Sequence, residues 1–581
     1  MNQKRLFLAI AISLAILLGF RTLLPSHPTP RPAEQATQAT PAAQTPPRPT
    51  GDPASPGTEP VNVPPPANVP RVPIEAPRVK GSISLVGARF DDLVLRDYHE
   101  EVSQTSPLVR LLEPRSDPQP YYAQFGWAAD DKGVAVPGDA TLWTASGGPL
   151  TATQPVTLSW DNGAGLLFQL VVSIDAEYMF TVEQRVRNAG GAPVALHAWS
   201  RVRRDYTPQT AGYYILHEGL VGILGGKLQE YTYAAAKTAG KDRGGVAFDA
   251  TAAGGWAGIT DKYWLAALIP DQRTPEIGTF RHLVQDGSDR YQVDFLAQGA
   301  EQVQPGAEAA AVTRLFAGAK EVHLLDRYQA DLGIPSFSSA VDFGTYFWPI
   351  TRPIFYALDW LYQIVGNFGV AILIFTLGVK ALFFPLANKS YRSMSKMKLL
   401  GPRVQELRER FKDDPARQQQ EMMALYKMEK VNPVSGCLPM VIQIPVFFSL
   451  YKVIFVTIEM RHAPFFGWIH DLSAVDPTNV FNLFGLIPFD PAQISPFLHL
   501  GAWPLIMGVT MYLQQKLNPP PPDPMQARLF QFMPVVFTFM LARFPAGLVI
   551  YWSWNNTLTI LQQWLIMRQT RVGPASRPAR T

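Results

Sequence analysis

Hydrophobic and polar positions follow two different rhythms along this chain. From Gly81 to about Ile334 they alternate in short segments broken by turn residues. Phe180 and Val182 interleave with Thr181 and Glu183, and Tyr291, Val293 and Phe295 interleave with Gln292 and Asp294, just after an Asp286-Gly287 turn. Many short strands over ~250 residues predict a large β-sandwich over 81–334. Beyond it the apolar positions become continuous. Runs at 367–386, 434–457, 498–515, 529–544 and 548–567, with another at 6–24, predict six membrane-spanning helices. Between the two regimes, in a linker over 335–366, Tyr346 to Gly366 is aromatic-rich but interrupted by Arg352, Asp359 and two prolines. That pattern suits an amphipathic helix lying in the outer interface.

Charge orients this layout. Lys4 and Arg5 precede the first run, and no small-residue cleavage site follows it, so 1–24 reads as an uncleaved signal anchor with its N-terminus inside. Residues 25–80 hold 17 of the 53 prolines and read as a disordered tether to an outside domain. Between Ala387 and Asn432 eleven basic residues face six acidic ones, which places that segment in the cytoplasm. From Glu459 to Phe497 the only Lys or Arg is Arg461, against four acids, so that stretch lies outside. The basic tail, 569–581, returns to the cytoplasm. The fold class is thus a multi-domain membrane protein, six spans with both termini inside, plus a large outside β-domain. A net charge of +4 does not suggest nucleic acid as the main partner, and one cysteine, Cys437, excludes an intramolecular disulfide.

Chemistry enters with Lys380, inside the second run. A charge there costs at least ~2.5 kcal/mol unless it snorkels or faces a polar interior. Thr376 shares its helix face; Gln443 interrupts the third run, Thr510 and Gln514 share a face of the fourth, and Asn555, Thr559 and Gln562 line the sixth behind Tyr551 and Trp552. Each alone can be satisfied locally, but together they predict a hydrated interior surface bearing one cation. Arg528 and Arg543 bracket only 14 residues of the fifth run, about 21 Å of helix, which leaves two readings, a thinned bilayer or a snorkelling Arg543. Pro545-Ala546-Gly547 then turns the chain back.

The cytoplasmic segment, 387–432, predicts a helical hairpin. Met394, Met397, Val404, Leu407 and Phe411 mark one stripe, Asp414-Pro415 supplies a cap, and Met422, Met423, Leu425 and Tyr426 mark the second. A methionine stripe of this kind serves as core or as an adaptable apolar docking surface. Met394, Met397, Arg403, Met422 and Met423 are the candidates for contact with nascent chains or the ribosome. Three decoys carry no matching chemistry. Gly225-Gly226-Lys227 lacks the upstream glycine of a phosphate loop, His217-Glu218 has no second histidine, and His470, Asp471 and Ser473 are too close in sequence for a triad.

The runs KMKLLGPRVQELRERFKDD, QQEMMALYKMEKVNPVSGCLPMVIQIPVFFSLYKV, APFFGWIHDLSAVDP and ARFPAGLVIYWSWNNTLTILQQ closely resemble the YidC family of membrane protein insertases in its Gram-negative form. The resemblance covers about residues 340–568 closely, including an insertase core at 367–568, and the outside domain loosely. It implies a β-supersandwich similar to the galactose mutarotase fold in the periplasm, an inner-membrane location, and an inner-leaflet groove for the hydrophilic end of a nascent membrane protein. The groove residues it implies are Lys380, Thr376, Tyr551 and Trp552, alongside Gln443, Thr510 and Asn555 from the polar faces. Lys380 stands where many relatives have Arg, Trp552 where a second Tyr is common, and Arg543 where an aromatic residue is common. Implied partners are nascent membrane proteins, the Sec translocon with its accessory subunits, the ribosome and membrane lipids; no nucleotide, cofactor, metal or catalysis is implied. A transporter with an outside sugar-binding domain is the alternative, although no paired broken spans argue for it. A purely structural assembly factor is a third reading.

Overall fold

Both predicted alternations become strands. The structure, a computed structural model, describes residues 69–571 apart from 213–214, 345–346, 413, 430, 432–437, 490, 496–497 and 519–523. The signal anchor, most of the tether, Cys437 and the residues beyond 571 lie outside the described residues. Two antiparallel sheets pack face to face. One has ten strands, running in space Arg71–Glu75, Val79–Ser84, Arg89–His99, Tyr121–Ala129, Val194–Arg204, Ser288–Ala297, Pro275–Gln285, Val246–Ala253, with Leu108–Leu112 and Glu301–Val303 at its sides. The other has nine, in the order Lys227–Thr232, Gly219–Leu224, Trp256–Thr260, Trp264–Ile269, Glu308–Ala319, Met179–Asn188, Leu166–Ile174, Val156–Asp161, Thr144–Ser146.

The sheet starts at Arg71, ten residues before the expected Gly81, because Val72 and Ile74 bury alternately despite the prolines around them. The Asp286-Gly287 turn joins two sheet neighbours, both residues at positive φ, 54° and 75°. Gly225 and Gly226, φ 60° and 72°, form the same kind of tight turn between Gly219–Leu224 and Lys227–Thr232, a conformation glycine adopts without cost. The strand Ser288–Ala297 departs from simple alternation. Its polar positions Gln292 and Asp294 are also buried, on a polar sheet face where Arg281 Nε donates to Asp294 at 3.0 Å and Gln292 to the same oxygen at 2.9 Å.

After the last long strand, helix α2 (Val322–Asp331; α1 is Tyr233–Gly240) leads toward the helical region. Helix α3 (Trp348–Val365) buries Thr351, Ile354, Phe355, Leu358 and Asp359 and exposes Trp348, Trp360, Tyr362 and Ile364, the two-faced helix expected between the regimes. His323 meets Asp359 at 2.9 Å, and Arg352 and Tyr356 both reach Asp326, so α2 and α3 are tied together. Gly366, at φ 69°, turns the chain into α4 (Phe368–Leu382), which Asn367 caps through the Val370 N–H at 3.1 Å.

The expected span 367–386 contains a bend. Helix α4 stops at Leu382 and α5 (Phe384–Leu399) leaves at 67°, because Pro385 in the first turn of α5 cannot continue the α4 hydrogen bonding. The first hairpin helix is also broken: α6 (Gly401–Arg410) begins anew at Gly401-Pro402, and α7 (Pro415–Met428) follows, capped by Asp414 through the Arg417 N–H at 3.0 Å. Helices α8 (Leu438–Val456), α9 (Ala502–Leu517), α10 (Pro524–Leu541) and α11 (Ala546–Arg571) complete the chain. Among the described residues no single helix is long and apolar enough to cross a membrane; α4 and α5 qualify only together. At the C-terminal end of α8 Lys452 pairs with Asp342 at 2.7 Å and donates to the Ile215 carbonyl, and just beyond the helix Arg461 donates to the His99 carbonyl at 2.6 Å, so this end is fastened to the β-domain.

Candidate functional site

The polar positions of three apolar helices converge on one cleft. On α11, Tyr551, Asn555, Thr559 and Gln562 recur at helical spacing and share a face. On α4, Thr376 and Lys380 lie one turn apart in the second half of the helix, and α8 contributes Gln443. These meet at an open cleft lined by Lys380, Gln443, Gln562, Tyr391 and apolar neighbours. Thr376, Tyr551 and Asn555 adjoin it in closer packing.

Lys380 Nζ donates to Thr559 Oγ1 at 2.8 Å, and Thr559 donates in turn to the Asn555 carbonyl at 2.7 Å. Gln443 donates to the Tyr551 hydroxyl. Thr376 satisfies itself on the Ile372 carbonyl at 2.6 Å, as a lone threonine in an apolar helix does. No carboxylate pairs with Lys380 among the described residues, so its nearest partner is a neutral hydroxyl. Asn555 Oδ1 and Gln562 Nε2 are buried without a hydrogen-bond partner among the described residues. A cation and two unsatisfied polar groups around one cleft favour a polar or anionic guest.

The cleft is closed on one side by rings. Running along α8 away from Gln443, Phe447 packs edge-on against Trp552 with centroids 4.6 Å apart, and Tyr451 packs against Phe544 at 5.2 Å. Phe537 reaches Trp552 from α10 at 6.0 Å. The polar layer lies toward the ends of α4 and α11 that share a side with the basic hairpin, and the aromatic layer lies toward the β-domain.

The structure therefore brings Lys380, Thr376, Gln443, Tyr551 and Asn555 together. It places two other candidates elsewhere. Trp552 is turned about 100° from Tyr551 on α11 and packs in the aromatic layer. Thr510, on α9, accepts from Asn556 at 3.3 Å, one residue off the cleft face. Tyr391, from α5, lines the cleft and carried no signal in the sequence, because the bend between α4 and α5 breaks the helical spacing that would have linked it to Lys380.

In the hairpin, α6 buries no residue, and Arg403, itself exposed, pairs with Glu429 at 2.9 Å. Met423 is 43% exposed and Met397 and Met422 are half-buried, so this stripe is not a closed core. Met394 differs: it packs on Ala387, Tyr391 and Ile566 beside the cleft. Two of the decoys have structural roles. Ser473 donates to Asp471 at 2.7 Å in a tight turn, and the His217 N–H donates to Asp342 at 2.9 Å.

The sequence falls into two family matches. Residues 71–357 match the YidC periplasmic domain, and residues 360–573 match the 60Kd inner membrane protein family. Together with the sandwich and the helical cleft they define the class: an inner-membrane protein with a periplasmic β-domain. A membrane protein insertase YidC of Granulibacter bethesdensis is 65% identical over 98% of this chain and 99% of its own, and one of Acidiphilium cryptum is 56% identical over 87% and 85%. An active YidC insertase crystal structure is similar at 17% identity and a TM-score of 0.34, over 85% of this chain and 94% of that one. The chain belongs to the YidC family of membrane protein insertases.

Proposed function

We infer that this protein is a membrane protein insertase of the bacterial inner membrane, and that the Lys380 cleft is where it receives the polar end of a nascent substrate. The observation that carries this reading is the pairing of Lys380 with a neutral hydroxyl beside two unsatisfied buried polar groups. A cation held this way retains its attraction for a passing carboxylate. In a six-span arrangement with both termini inside, the cleft faces the inner leaflet and cytoplasm and the aromatic layer seals its outer end. A polar segment then crosses less hydrocarbon, and its apolar neighbour partitions sideways into lipid. The work is binding and partitioning, without catalysis, nucleotide or cofactor. The basic hairpin, with Met397, Arg403, Met422 and Met423, docks ribosomes or nascent chains, and the protein acts alone or with the Sec translocon. The transporter alternative gains no support from the relatives.

The test is insertion of small substrates with acidic outside tails into membranes carrying Lys380→Ala or Lys380→Glu. Both variants should be impaired, Glu more than Ala. If both insert those substrates as well as the unaltered protein does, the charge has no such role.

A further inference from the structure

An exposed apolar surface lies in the segment between α8 and α9. From Phe481 to Ile494, Phe481, Leu483, Phe484, Leu486, Ile487, Phe489 and Ile494 are all exposed, Leu486 at 83% and Ile494 at 72%. The 3₁₀ turn Val480–Gly485 buries none of its residues. Contiguous exposed apolar surface on this scale marks a contact with a protein or a membrane.

The loop is nevertheless a built structure. Asn479 accepts from the Phe481 N–H at 3.1 Å and donates to the Leu498 carbonyl at 2.8 Å, and the Val480 N–H donates to the Leu500 carbonyl at 2.9 Å, which closes the neck. Inside it, the Phe484 N–H donates to the Asn479 carbonyl at 2.8 Å, the Ile487 N–H to the Asn482 carbonyl at 3.1 Å, and Asn482 donates to the Phe489 carbonyl at 3.2 Å. Leu483 and Phe484 stand at φ 52° and 59°, a left-handed conformation that bulky residues rarely adopt. Strain of this kind persists where the surroundings or the function repay it. Here it turns two large apolar side chains outward.

We propose that Val480–Ile494 is a membrane anchor that seats its apolar side chains in the outer leaflet of the bilayer. Three observations select lipid as the occupant. Asp476, just before the loop, accepts from the Trp503 N–H at 2.9 Å in the first turn of α9, and α9 itself exposes Ile506, Val509 and Leu513 on one face. Between Asp476 and Lys516 the only charged residue is Asp490, so little opposes entry into hydrocarbon. The internal hydrogen bonds satisfy loop backbone groups that lipid could not. The side of the membrane rests on the topology proposed above; the lipid contact does not.

The test uses the full chain with Cys437→Ser, reconstituted in phosphatidylethanolamine and phosphatidylglycerol vesicles, with a fluorescent NBD group on Leu486→Cys or on Ile494→Cys. Glu101→Cys, on an exposed turn of the β-domain, is the aqueous control. Phospholipid carrying a shallow doxyl quencher should reduce emission from the loop probes at least two-fold and leave the control unchanged, and iodide should do the reverse. Equal iodide quenching at loop and control overturns the proposal. Protection from both quenchers overturns it in favour of protein, a second copy if dilution in lipid exposes the probe. Insertion assayed on the same vesicles reports separately on the insertase reading.

Discussion

Lys380 and Thr559 meet across two helices, the ammonium donating at 2.8 Å to a hydroxyl whose own hydrogen goes to the Asn555 carbonyl. The hydroxyl holds the ammonium in place without neutralising it. Thr559→Val removes that acceptor and keeps the charge, so insertion of substrates with acidic tails should fall less than about two-fold. Lys380→Ala removes the charge and should cost about ten-fold or more, the equivalent of ~1.4 kcal/mol. Equal losses in a quantitative insertion assay would mean that the hydrogen bond, not the charge, matters.

Asn555 and Gln562 should trade stability for activity. Each holds a buried polar atom without a partner among the described residues, which costs about 1–3 kcal/mol. Asn555→Leu is expected to raise the melting temperature of the detergent-solubilised protein while lowering insertion. A variant less stable than the parent would show that Asn555 is satisfied in the native membrane.

The hairpin predicts a clean separation of function from folding. Because Met394 packs beside the cleft, the informative deletion is Gly401 to Met428, joined by a short flexible linker. It should abolish complementation of an insertase-depleted strain and leave protease-resistant membrane helices. Arg403→Ala should change stability by less than ~1 kcal/mol, since its pair with Glu429 is exposed, yet weaken ribosome co-sedimentation.

A pH dependence follows from Glu459, just beyond α8. It sits half-buried at the start of α2, where it accepts from the Val322 N–H at 2.9 Å, and loss of solvent around it pushes its carboxyl up to about 7. Glu230 and Glu276 are pushed up to about 7 by the same cause. The folded chain thus holds protons that the unfolded chain has released at about 4.5. The stability these groups contribute is full below that value and is lost as pH rises through about 7. Thermal melts between about pH 5 and about pH 8 should show this decline, and Glu459→Gln should flatten it. An unchanged slope would remove Glu459 from the account.

Much of this was legible in the chain because local chemistry set it. Asp414-Pro415 starts a helix, Asp286-Gly287 makes a hairpin turn, and Phe180 and Val182 face a core, each for reasons within a few residues. What was not legible depended on distant packing. Val72 and Ile74 form a strand only because a neighbouring strand receives them, inside a stretch whose prolines suggest a tether. Tyr391 reaches the cleft because Pro385 bends the chain, and no spacing rule crosses a bend. Trp552 comes beside Tyr551 from the family resemblance, and its packing on Phe447 depends on where α8 lies, which no local pattern gives.

The most direct measurement places a photocrosslinking amino acid at Asn555, in the cleft, and at Trp564, exposed on the same helix. Each variant is then challenged with a ribosome stalled on a nascent membrane protein. The account predicts adducts from Asn555 to the polar segment of the nascent chain, and a loss of those adducts with Lys380→Glu. Adducts from Trp564 alone, or from Asn555 regardless of the charge at position 380, would contradict it.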